Sequence, residues 1–474
     1  MTSQMPPPMS GEEVRRRFVA FFTERGHREV PSSSLVPHND PTVLLTTAGM
    51  QQMTPYFLGL EQPPAPRMVS VQKCFRTVDI DEVGDESHCT FFFMLGNFSV
   101  GDYFKEASLT WSWEFMTQTL GIPPDRLYPT VHPDDEEALR VWRDVIGIPD
   151  ERIGRLEDNW WGPVGPTGPN GPDSEIYFDR GPEHGCGAPD CAPGCDCERY
   201  LEVWNNVFME FVQHPDGSRT PFPRPHVDTG MGLERLVMVM QRAESVYEID
   251  LYQAIIQHVA HVAGVTYGAE PEIDRALRII ADHTRGGTFL IADGVLPGNE
   301  GRAYVLRRIL RRAIRAGRKL ELEEPFLAGV AGVVIDQFAH HHPELSERRT
   351  QIEKILTHEE ESFGRTLDAG ISRFQALVED LMREAAERGE TVANVLPGRE
   401  VFRLYDTYGF PFDLTVELAR EQGLEVDQTG FDQALAEQRE ISRGGAAAAF
   451  RDRARSRAEV YVALAQGPTE FLGY

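Results

Sequence analysis

The sequence predicts an α+β fold in which a strand-containing half precedes a helical half. Residues 71–105 have the pattern of an apolar strand, a charged loop and a second, aromatic strand. Residues 223–241 have the pattern of a strand that runs through glycines into a helix. From about residue 246 helical periodicity dominates and strand signals become few. We therefore place a domain boundary there.

An amphipathic helix is expected near the start of the chain. Ser10 followed by Glu13 is a capping-box pattern, and Gly26 is a stop signal. Apolar residues recur between them at helical spacing, at Val14, Phe18, Phe21 and Phe22. A short apolar strand is expected at residues 43–45. We assign both elements to the scaffold.

Arg76 is the first candidate for binding an anion. It ends the first apolar strand, where burial makes a guanidinium costly to desolvate. Its planar fork of donors suits bidentate contact with a phosphate. The second strand, residues 90–95, lacks polar alternation, which predicts that both of its faces are buried.

Asp228 and Arg235 form a second pair of candidates, within residues 223–241. The helix there presents one apolar face, formed by Leu233, Leu236, Val237 and Met240. Gly230 and Gly232 allow the backbone to turn tightly, so that the carboxylate and the guanidinium face one pocket. One carboxylate and one guanidinium in the same pocket suit the binding of a zwitterion together with a nucleotide.

Residues 162–172 hold four glycines and four prolines. Both residue types disfavour a helix and a sheet ladder. We therefore expect a rigid loop close to a pocket.

Four of the six cysteines lie close together in a loop without a hydrophobic pattern, at Cys186, Cys191, Cys195 and Cys197. Such a loop needs another source of order, and four thiolates around Zn²⁺ in a closed structural site would provide it. The spacing differs from that of paired CxxC knuckles. A solvated insertion with free thiols and a redox function remain alternatives.

Charge separates the chain into an acidic body and one basic segment. The 474 residues include 47 basic and 74 acidic ones, and the net charge of −27 argues against general affinity for nucleic acid. Residues 301–320 contain seven arginines and one lysine but no acid. They predict a helix with a narrow apolar seam at Val305, Ile309 and Ala313. This basic segment is either a solvated face or a cationic binding surface.

The N-terminus lacks the basic and apolar regions of a signal peptide. No apolar run approaches the roughly 20 residues that cross a bilayer. We expect a soluble, cytoplasmic protein that does not bind membranes.

Five strings resemble one known family. QKCFR with FFFMLGNFSVGDYFK (72–76 and 91–105) and VDTGMGLERL (227–236) resemble motifs 2 and 3 of the alanyl-tRNA synthetases, which are class II aminoacyl-tRNA synthetases. The other strings are those at 158–176, 202–211 and 292–317, which contain DNWW and GPDSEI, EVWNNVFMEF, and ADGVLPGNEGRAYVLRR. They occur in the family's order and span nearly the whole chain.

The resemblance implies a fold and a domain order. Residues 1–245 would be a catalytic domain with an antiparallel sheet flanked by helices and a cysteine-rich insertion at 181–198. Residues 246–455 would be an all-helical tRNA-recognition domain. Residues 456–474 would be the truncated start of an editing domain, and such a fragment is expected to be monomeric.

The resemblance also implies a reaction. Alanine and ATP, with Mg²⁺ on the leaving pyrophosphate, would give alanyl-adenylate, and alanine would then pass to the 3′ end of tRNA(Ala). Arg76 would clamp the α-phosphate, Phe92 would cover one face of adenine, and Arg235 would stack on adenine or reach the γ-phosphate. Asp228 would hold the ammonium of alanine. The rest of the alanine site would be Trp161, Asn205, Val207 and Gly230.

For tRNA, the resemblance places Asn299 and Asp406 at the wobble G·U pair of the acceptor stem, where the shallow minor groove can be read. An asparagine before a helix is otherwise a capping residue. The basic segment would track phosphates through its arginines, including Arg302, Arg307, Arg308, Arg311 and Arg312.

The sequence departs from the family in motif 2. The loop at 77–84 is short and acidic, and Phe93 replaces a glutamate, which removes a polar partner of ATP. Two other functions stay open: an inactive tRNA-binding paralogue, and an adenylate-forming ligase for a carrier protein. The intact Arg76, Asp228 and Arg235 argue against the first, and the arginine-rich segment argues against the second.

Overall fold

The computed structural model describes residues 4–37, 43–163, 165–388 and 394–439. The chain divides into two compact units at Glu360. Within the described residues strands give way to helices after Gly232, and the domain boundary near residue 246 stays a prediction. The expected start of an editing domain, residues 456–474, lies outside the described residues.

A nine-stranded sheet organises the first unit. Its strands are β1 (Arg28–Glu29), β2 (Arg67–Phe75), β3 (Phe91–Ser99), β4 (Leu127–Val131), β5 (Gly154–Arg155), β6 (Trp160–Trp161), β7 (Gly168–Asp179), β8 (Tyr200–Gln213) and β9 (Arg219–Gly232). They lie in the order β1-β2-β3-β9-β8-β7-β4-β5, with β6 paired to β7. All pairs are antiparallel except β1 with β2 and β4 with β5. This confirms the predicted antiparallel sheet.

Helices flank the sheet and then make up most of the described chain. They are α1 (Gly11–Thr23), α2 (Thr54–Phe57), α3 (Lys105–Glu114), α4 (Glu136–Arg140), α5 (Leu233–Gln241), α6 (Asp250–Ala263), α7 (Pro271–Ala292), α8 (Gly301–Lys319), α9 (Leu327–Phe338), α10 (Pro343–Glu347) and α11 (Arg349–Arg388). The second unit adds β10 (Val395–Leu396), α12 (Gly398–Tyr408), α13 (Phe412–Glu421) and β11 (Glu425–Val426).

The predicted start of α1 is confirmed, because the side chain of Ser10 accepts a hydrogen bond from the Glu13 backbone at 3.2 Å. The strand expected at residues 43–45 is not formed. Leu45 is buried, but residues 43–45 pair with no strand. The next residue, Thr46, donates to the Leu35 carbonyl at 2.9 Å and accepts from the backbone of Phe75, the last residue of β2, at 2.7 Å. The apolar pattern therefore marks a loop anchored in the core.

The rigid loop expected at residues 162–172 is only partly correct, because β7 begins at Gly168. Glycine is required within this strand: a Cβ on Gly171 would collide with the carbonyl oxygen of Phe208 in β8. The register between β7 and β8 shifts between Asn170 and Asp173. The close approach of the two backbones thus explains why position 171 is a glycine.

The basic segment forms α8, as predicted, but its apolar face is wider than the predicted seam. The buried apolar residues are Val305, Leu306, Ile309, Leu310, Ala313, Ile314 and Ala316. Arg312 and Arg315 are buried as well. The helix is therefore packed into the first unit along one side.

Candidate active site

One cavity of about 260 Å³ lies at the middle of the sheet. Strands β3, β6, β7, β8 and β9, the loop after β2 and the start of α5 line it. Its lining includes all eight residues that the sequence suggested for nucleotide and alanine: Arg76, Phe92, Trp161, Asn205, Val207, Asp228, Gly230 and Arg235. Segments more than 150 residues apart in the chain thus meet at one place.

Arg76 follows β2 directly, as expected. Its backbone N–H donates to the carbonyl of Thr90 at 2.8 Å, which extends the pairing of β2 with β3. The centre of its guanidinium lies 5.0 Å from the ring of Phe92. The guanidinium makes no hydrogen bond or ion pair with any described residue. Its five donors are therefore free to take an anion.

Strand alternation selects Phe92 from three consecutive phenylalanines. Phe92 lines the cavity, whereas Phe91 stacks on Phe289 of α7 with ring centroids 4.3 Å apart. Phe93 stacks on His342 at 5.3 Å, on the side of the sheet that faces the helices. The departure at Phe93 therefore changes the packing of the helices and leaves the cavity lining as it is.

Asp228 is the most strongly perturbed acid of the predicted set. It is only 5% exposed, and its Oδ1 has no hydrogen-bond partner among the described residues. Burial raises the pKa of its carboxyl to about 7. A buried acceptor without a donor favours a cationic ligand, which would supply the missing hydrogen bond and charge.

Arg235 lies in the first turn of α5 and reaches back to β8. Its Nη1 lies 3.3 Å from the backbone carbonyl of Glu202 and 3.4 Å from Glu202 Oε2. The expected tight glycine turn is absent, because β9 continues to Gly232 and α5 starts at the next residue.

At Gly230 a Cβ would approach the sulfur of Met94 to 3.0 Å, so this glycine makes room for close packing.

Four acids besides Asp228 line the cavity, and the sequence patterns did not indicate them. They are Asp79, Glu175, Glu202 and Glu234. Three of them lie within strings already quoted, where alternate strand positions could have indicated which residues share the cavity face. Glu234 is structural: its carboxylate pairs with the buried Arg285 at 2.5 Å and accepts from the backbone of Phe93 at 3.0 Å.

Three of the arginines suggested for tRNA are paired with acids of the same unit. Arg308 lies 2.8 Å from Asp81. Arg307 and Arg311 each lie 3.2 Å from Oε1 of Glu359 in α11. All three remain partly exposed, so a phosphate would have to compete with these acids.

Arg312 is in the interior, whereas Arg302 is half-exposed at the start of α8. The guanidinium of Arg312 donates to the carbonyl of Ile80 and lies 2.9 Å from Nε2 of His283. Contact of either arginine with tRNA stays a prediction.

Asn299 and Asp406 lie in different compact units, and both are exposed. Asn299 is not the capping residue of α8, because Glu300 holds that position; its Oδ1 instead accepts from Arg307. Asp406 lies in α12. Their joint role at an acceptor stem stays a prediction.

The cysteine cluster has the dimensions of a metal site. Sγ of Cys186 lies 3.7 Å from that of Cys195, and Sγ of Cys191 lies 3.5 Å from that of Cys197; all four lie within 4.8 Å of one another. Tetrahedral zinc with Zn–S bonds of about 2.3 Å requires sulfur atoms about 3.8 Å apart. A hydrogen bond from the Arg199 backbone, opposed in part by desolvation, lowers the pKa of Cys197 to about 7, whereas desolvation raises the pKa of Cys191.

A second group of metal-ligand types lies on the surface, where His340 and His341 face the carboxylate of Glu12. Hydrogen bonds to Glu12, at 3.3 Å and 2.7 Å, already account for this arrangement. None of the described helices is both long and apolar enough to span a bilayer.

A family model and the curated relatives of this chain indicate the same class of protein. The model of the family described as tRNA synthetases class II (A) matches residues 13–474. An alanine–tRNA ligase of Dehalococcoides mccartyi is 48% identical over 467 residues, covering 98% of this chain and 52% of that protein. One of Carboxydothermus hydrogenoformans is 49% identical over 442 residues, covering 92% and 49%. The chain thus spans about half the length of the curated relatives it matches.

Among solved structures, apo histidyl-tRNA synthetase from S. aureus matches with a TM-score of 0.31 and 12% identity, over 55% of this chain and 80% of that chain. This similarity is too low to support an inference about the present chain.

Proposed function

The chain belongs to the class II (A) family of tRNA synthetases, and from this premise we propose that it is the catalytic and tRNA-recognition portion of an alanine–tRNA ligase. The observation that carries the proposal is the convergence of eight residues, suggested from separate strings, on one cavity. The relatives named above, all alanine–tRNA ligases, support alanine as the amino acid.

The first step joins alanine to the α-phosphate of ATP. A carboxylate oxygen of alanine attacks the α-phosphorus, and the bond from phosphorus to the pyrophosphate oxygen breaks. Arg76 holds the α-phosphate and stabilises the charge that develops on its oxygens. Phe92 covers one face of adenine, and Arg235 binds the nucleotide from the α5 side. These side chains act by positioning two anions in line and neutralising them.

The amino-acid end of the cavity suits a small zwitterion. In this proposal Asp228 receives the ammonium group, while Trp161 and Val207, which line the cavity, border the methyl group. Glycine differs from alanine by one carbon, which in an apolar pocket is worth only about 1 to 3 kcal/mol of discrimination. We therefore expect the cavity to activate glycine to a measurable extent.

Transfer of alanine to tRNA requires the second substrate to reach the same cavity. The basic segment α8 and the exposed Asn299 and Asp406 supply the acceptor-stem contacts in this proposal. Binding would release counterions from the tRNA phosphates, so the affinity would depend strongly on the salt concentration.

Two metals complete the proposal. ATP enters with Mg²⁺, and the cavity acids Asp79 and Glu202 are oxygen donors of the kind that Mg²⁺ prefers. Zinc bound by Cys186, Cys191, Cys195 and Cys197 would be structural, because a closed four-sulfur site leaves no open position for catalysis. Removal of zinc is then expected to loosen the insertion at 181–198 and leave the cavity in place.

Binding of a non-hydrolysable alanyl-adenylate analogue tests the proposal. Calorimetry is expected to give binding by the wild-type protein that weakens at least 100-fold in Arg76→Ala, because the phosphate loses a charged bidentate partner. Arg16→Ala, which removes an exposed arginine paired with Glu13, is the matched control and is expected to bind normally. A leucyl-adenylate analogue that binds as tightly as the alanyl one would contradict the assignment of alanine.

A further inference from the structure

Two acids of β7, the buried Asp173 and the half-buried Glu175, lie beside Asn205 at the amino-acid end of the cavity, and Glu175 also lines the cavity. Asp173 pairs across the ladder with Val207 of β8, and Glu175 pairs with Asn205. On the far side of β8, Val207 pairs with Asp228 of β9. Side chains two residues apart on a strand share a face, so these acids, Asn205 and Asp228 lie on one face of three adjacent strands.

The two acids hold the amide group of Asn205 from one side. Nδ2 of Asn205 donates to Asp173 Oδ2 at 3.0 Å and lies 3.4 Å from Glu175 Oε1. A second amide, that of Asn159, donates to Asp173 Oδ1 at 2.9 Å and to Glu175 Oε2 at 3.0 Å. Asp173 is thus bonded by two amide nitrogens and is only 3% exposed.

This arrangement fixes which end of the Asn205 amide faces the acids. An ionised carboxylate accepts hydrogen bonds and donates none, so it selects the nitrogen of the amide. The oxygen must then point the other way. Oδ1 of Asn205 is buried and has no hydrogen-bond partner among the described residues, and the residue lines the cavity.

Asn205 and Asp228 therefore each offer one unpartnered oxygen at the cavity. Because Asn205 pairs with Gly230 and Asp228 pairs with Val207, the two are diagonal neighbours across the β8–β9 ladder. Diagonal neighbours are typically about 7 to 8 Å apart, which leaves space for a small cation between their side chains. An ammonium group has three donors to share between such oxygens.

We propose that Asp173 and Glu175 are positioning residues of the amino-acid site, which orient Asn205 so that its carbonyl oxygen and the Asp228 carboxylate together receive the substrate ammonium. This inference rests on the proposed function and deepens it. Asn205 thereby acts as a polar contact as well as a wall of the methyl pocket. Asp173 does not line the cavity and acts only through the amide, whereas Glu175 lines the cavity and supports the amide from there.

The charge state of the pair suits this role. Burial is the largest cause that raises the pKa of Asp173 to about 6 and that of Glu175 to about 8, and Glu202 adds to both shifts. The two neighbouring acids titrate as a pair, and their raised pKa values limit the negative charge that they carry together behind the amide.

A double-mutant cycle separates positioning from a structural role. Asp173→Asn gives position 173 its own amide donor, so Asn205 is no longer held with its nitrogen inward. We expect the KM for alanine in alanine-dependent pyrophosphate exchange to rise about tenfold or more, with the KM for ATP within twofold of wild type. In an Asn205→Ala background the same substitution is expected to leave the KM for alanine unchanged.

Ser174→Ala is the matched control. Ser174 is a buried neighbour in β7, and its hydroxyl donates to the Thr130 carbonyl at 2.7 Å, so it contacts β4 and not Asn205. The control is expected to lower the melting temperature without a change in the KM for alanine. If Asp173→Asn does not fold, Glu175→Gln replaces it, with a rise of about threefold or more expected.

Each outcome is decisive. Equal increases in KM in the wild-type and Asn205→Ala backgrounds would mean that Asp173 acts independently of the amide, and this would overturn the inference. An unchanged KM in Asp173→Asn, in protein that exchanges pyrophosphate with alanine, would also overturn it while leaving the proposed function intact. Absence of alanine-dependent exchange in the wild type would overturn both.

Discussion

Asp228 combines the two properties that an ammonium site needs, which are an unpartnered oxygen and a strongly buried carboxyl. Its pKa of about 7 in the folded protein lies well above the ordinary value of 3.8. Burial thus penalises its charge in the free protein, and a bound cation would relieve that penalty. In our proposal Asp228 thus provides selectivity for the substrate ammonium group and lowers the stability of the free protein.

This cost predicts how stability depends on pH. Below about pH 4 the carboxyl is protonated in the folded and the unfolded chain, so it contributes no penalty. Between pH 4 and 7 the unfolded chain ionises first, so the penalty grows as pH rises; above pH 7 it stays constant. Asp228→Asn cannot ionise. Without substrate, we expect its free energy of unfolding to exceed that of wild type by up to about 4 kcal/mol at pH 8 and to match it near pH 4.

Thermal unfolding of both proteins across this pH range measures the difference. Glu61→Gln, at an exposed position, controls for the loss of one carboxylate. A difference between Asp228→Asn and wild type that does not grow between pH 4 and 7 would show that the carboxyl is not buried as described.

At the same scale, the site was predictable where its residues belong to strings that resemble the family. Arg76, Asp228 and Arg235 were identified because each combines a charge with a defined place at the end of a strand or the start of a helix. Glu175 and Glu202 were not identified, because the sequence of a strand alone does not tell which of its alternate residues face the cavity. Asp173 and Glu175 gain their role only from a contact across the ladder with β8.

At the scale of elements, β7 depends on a glycine at its contact with β8. Gly171→Ala would place a methyl group against the carbonyl oxygen of Phe208, so the strands must separate. We expect a loss of more than about 2 kcal/mol of stability, read as a lower melting temperature. Gly332→Ala in α9 is the matched control, since the nearest atom to a new Cβ there is 3.6 Å away. The control is expected to be neutral or stabilising by up to about 1 kcal/mol; equal effects at both positions would contradict the close approach.

This element also shows a limit of sequence reasoning. Glycine and proline in residues 162–172 indicated a loop because local propensity disfavours a strand. The strand forms because β6 and β8 pair with it from both sides. The absence of a side chain at Gly171 lets β8 approach closely. At residues 43–45 the opposite occurred, because apolar residues that suit a strand lie in a loop, where Leu45 is buried and Leu44 is exposed. Tertiary contacts decided both cases.

For α8 the structure separates exposed from buried arginines. Replacing Arg307 and Arg308 together by alanine is expected to weaken binding of tRNA(Ala) at low salt about tenfold or more and to reduce the salt dependence by about one unit of slope per lost phosphate contact. Arg312→Ala is expected instead to lower the melting temperature, because its guanidinium is buried against Ile80 and His283. Filter binding over a range of salt concentrations measures the first effect. Unchanged affinity in the double variant would place the RNA surface elsewhere.

At the scale of the whole molecule, the strongly acidic chain carries a local group of seven arginines and one lysine on one helix, α8. The cavity, the sheet that forms it and α8 all belong to the first compact unit. Activation of the amino acid thus depends on residues of this unit alone in our account. In our proposal α8 of the same unit also contacts tRNA.

The central claim is that this cavity activates alanine, and exchange of labelled pyrophosphate into ATP measures it directly. We expect robust exchange that depends on alanine, weaker exchange with glycine, and loss of at least 100-fold in kcat/KM for alanine in Asp228→Asn, whose folding is checked separately by its melting temperature. Folded wild-type protein that shows no exchange with alanine would contradict the account. It would favour a tRNA-binding protein without catalytic activity.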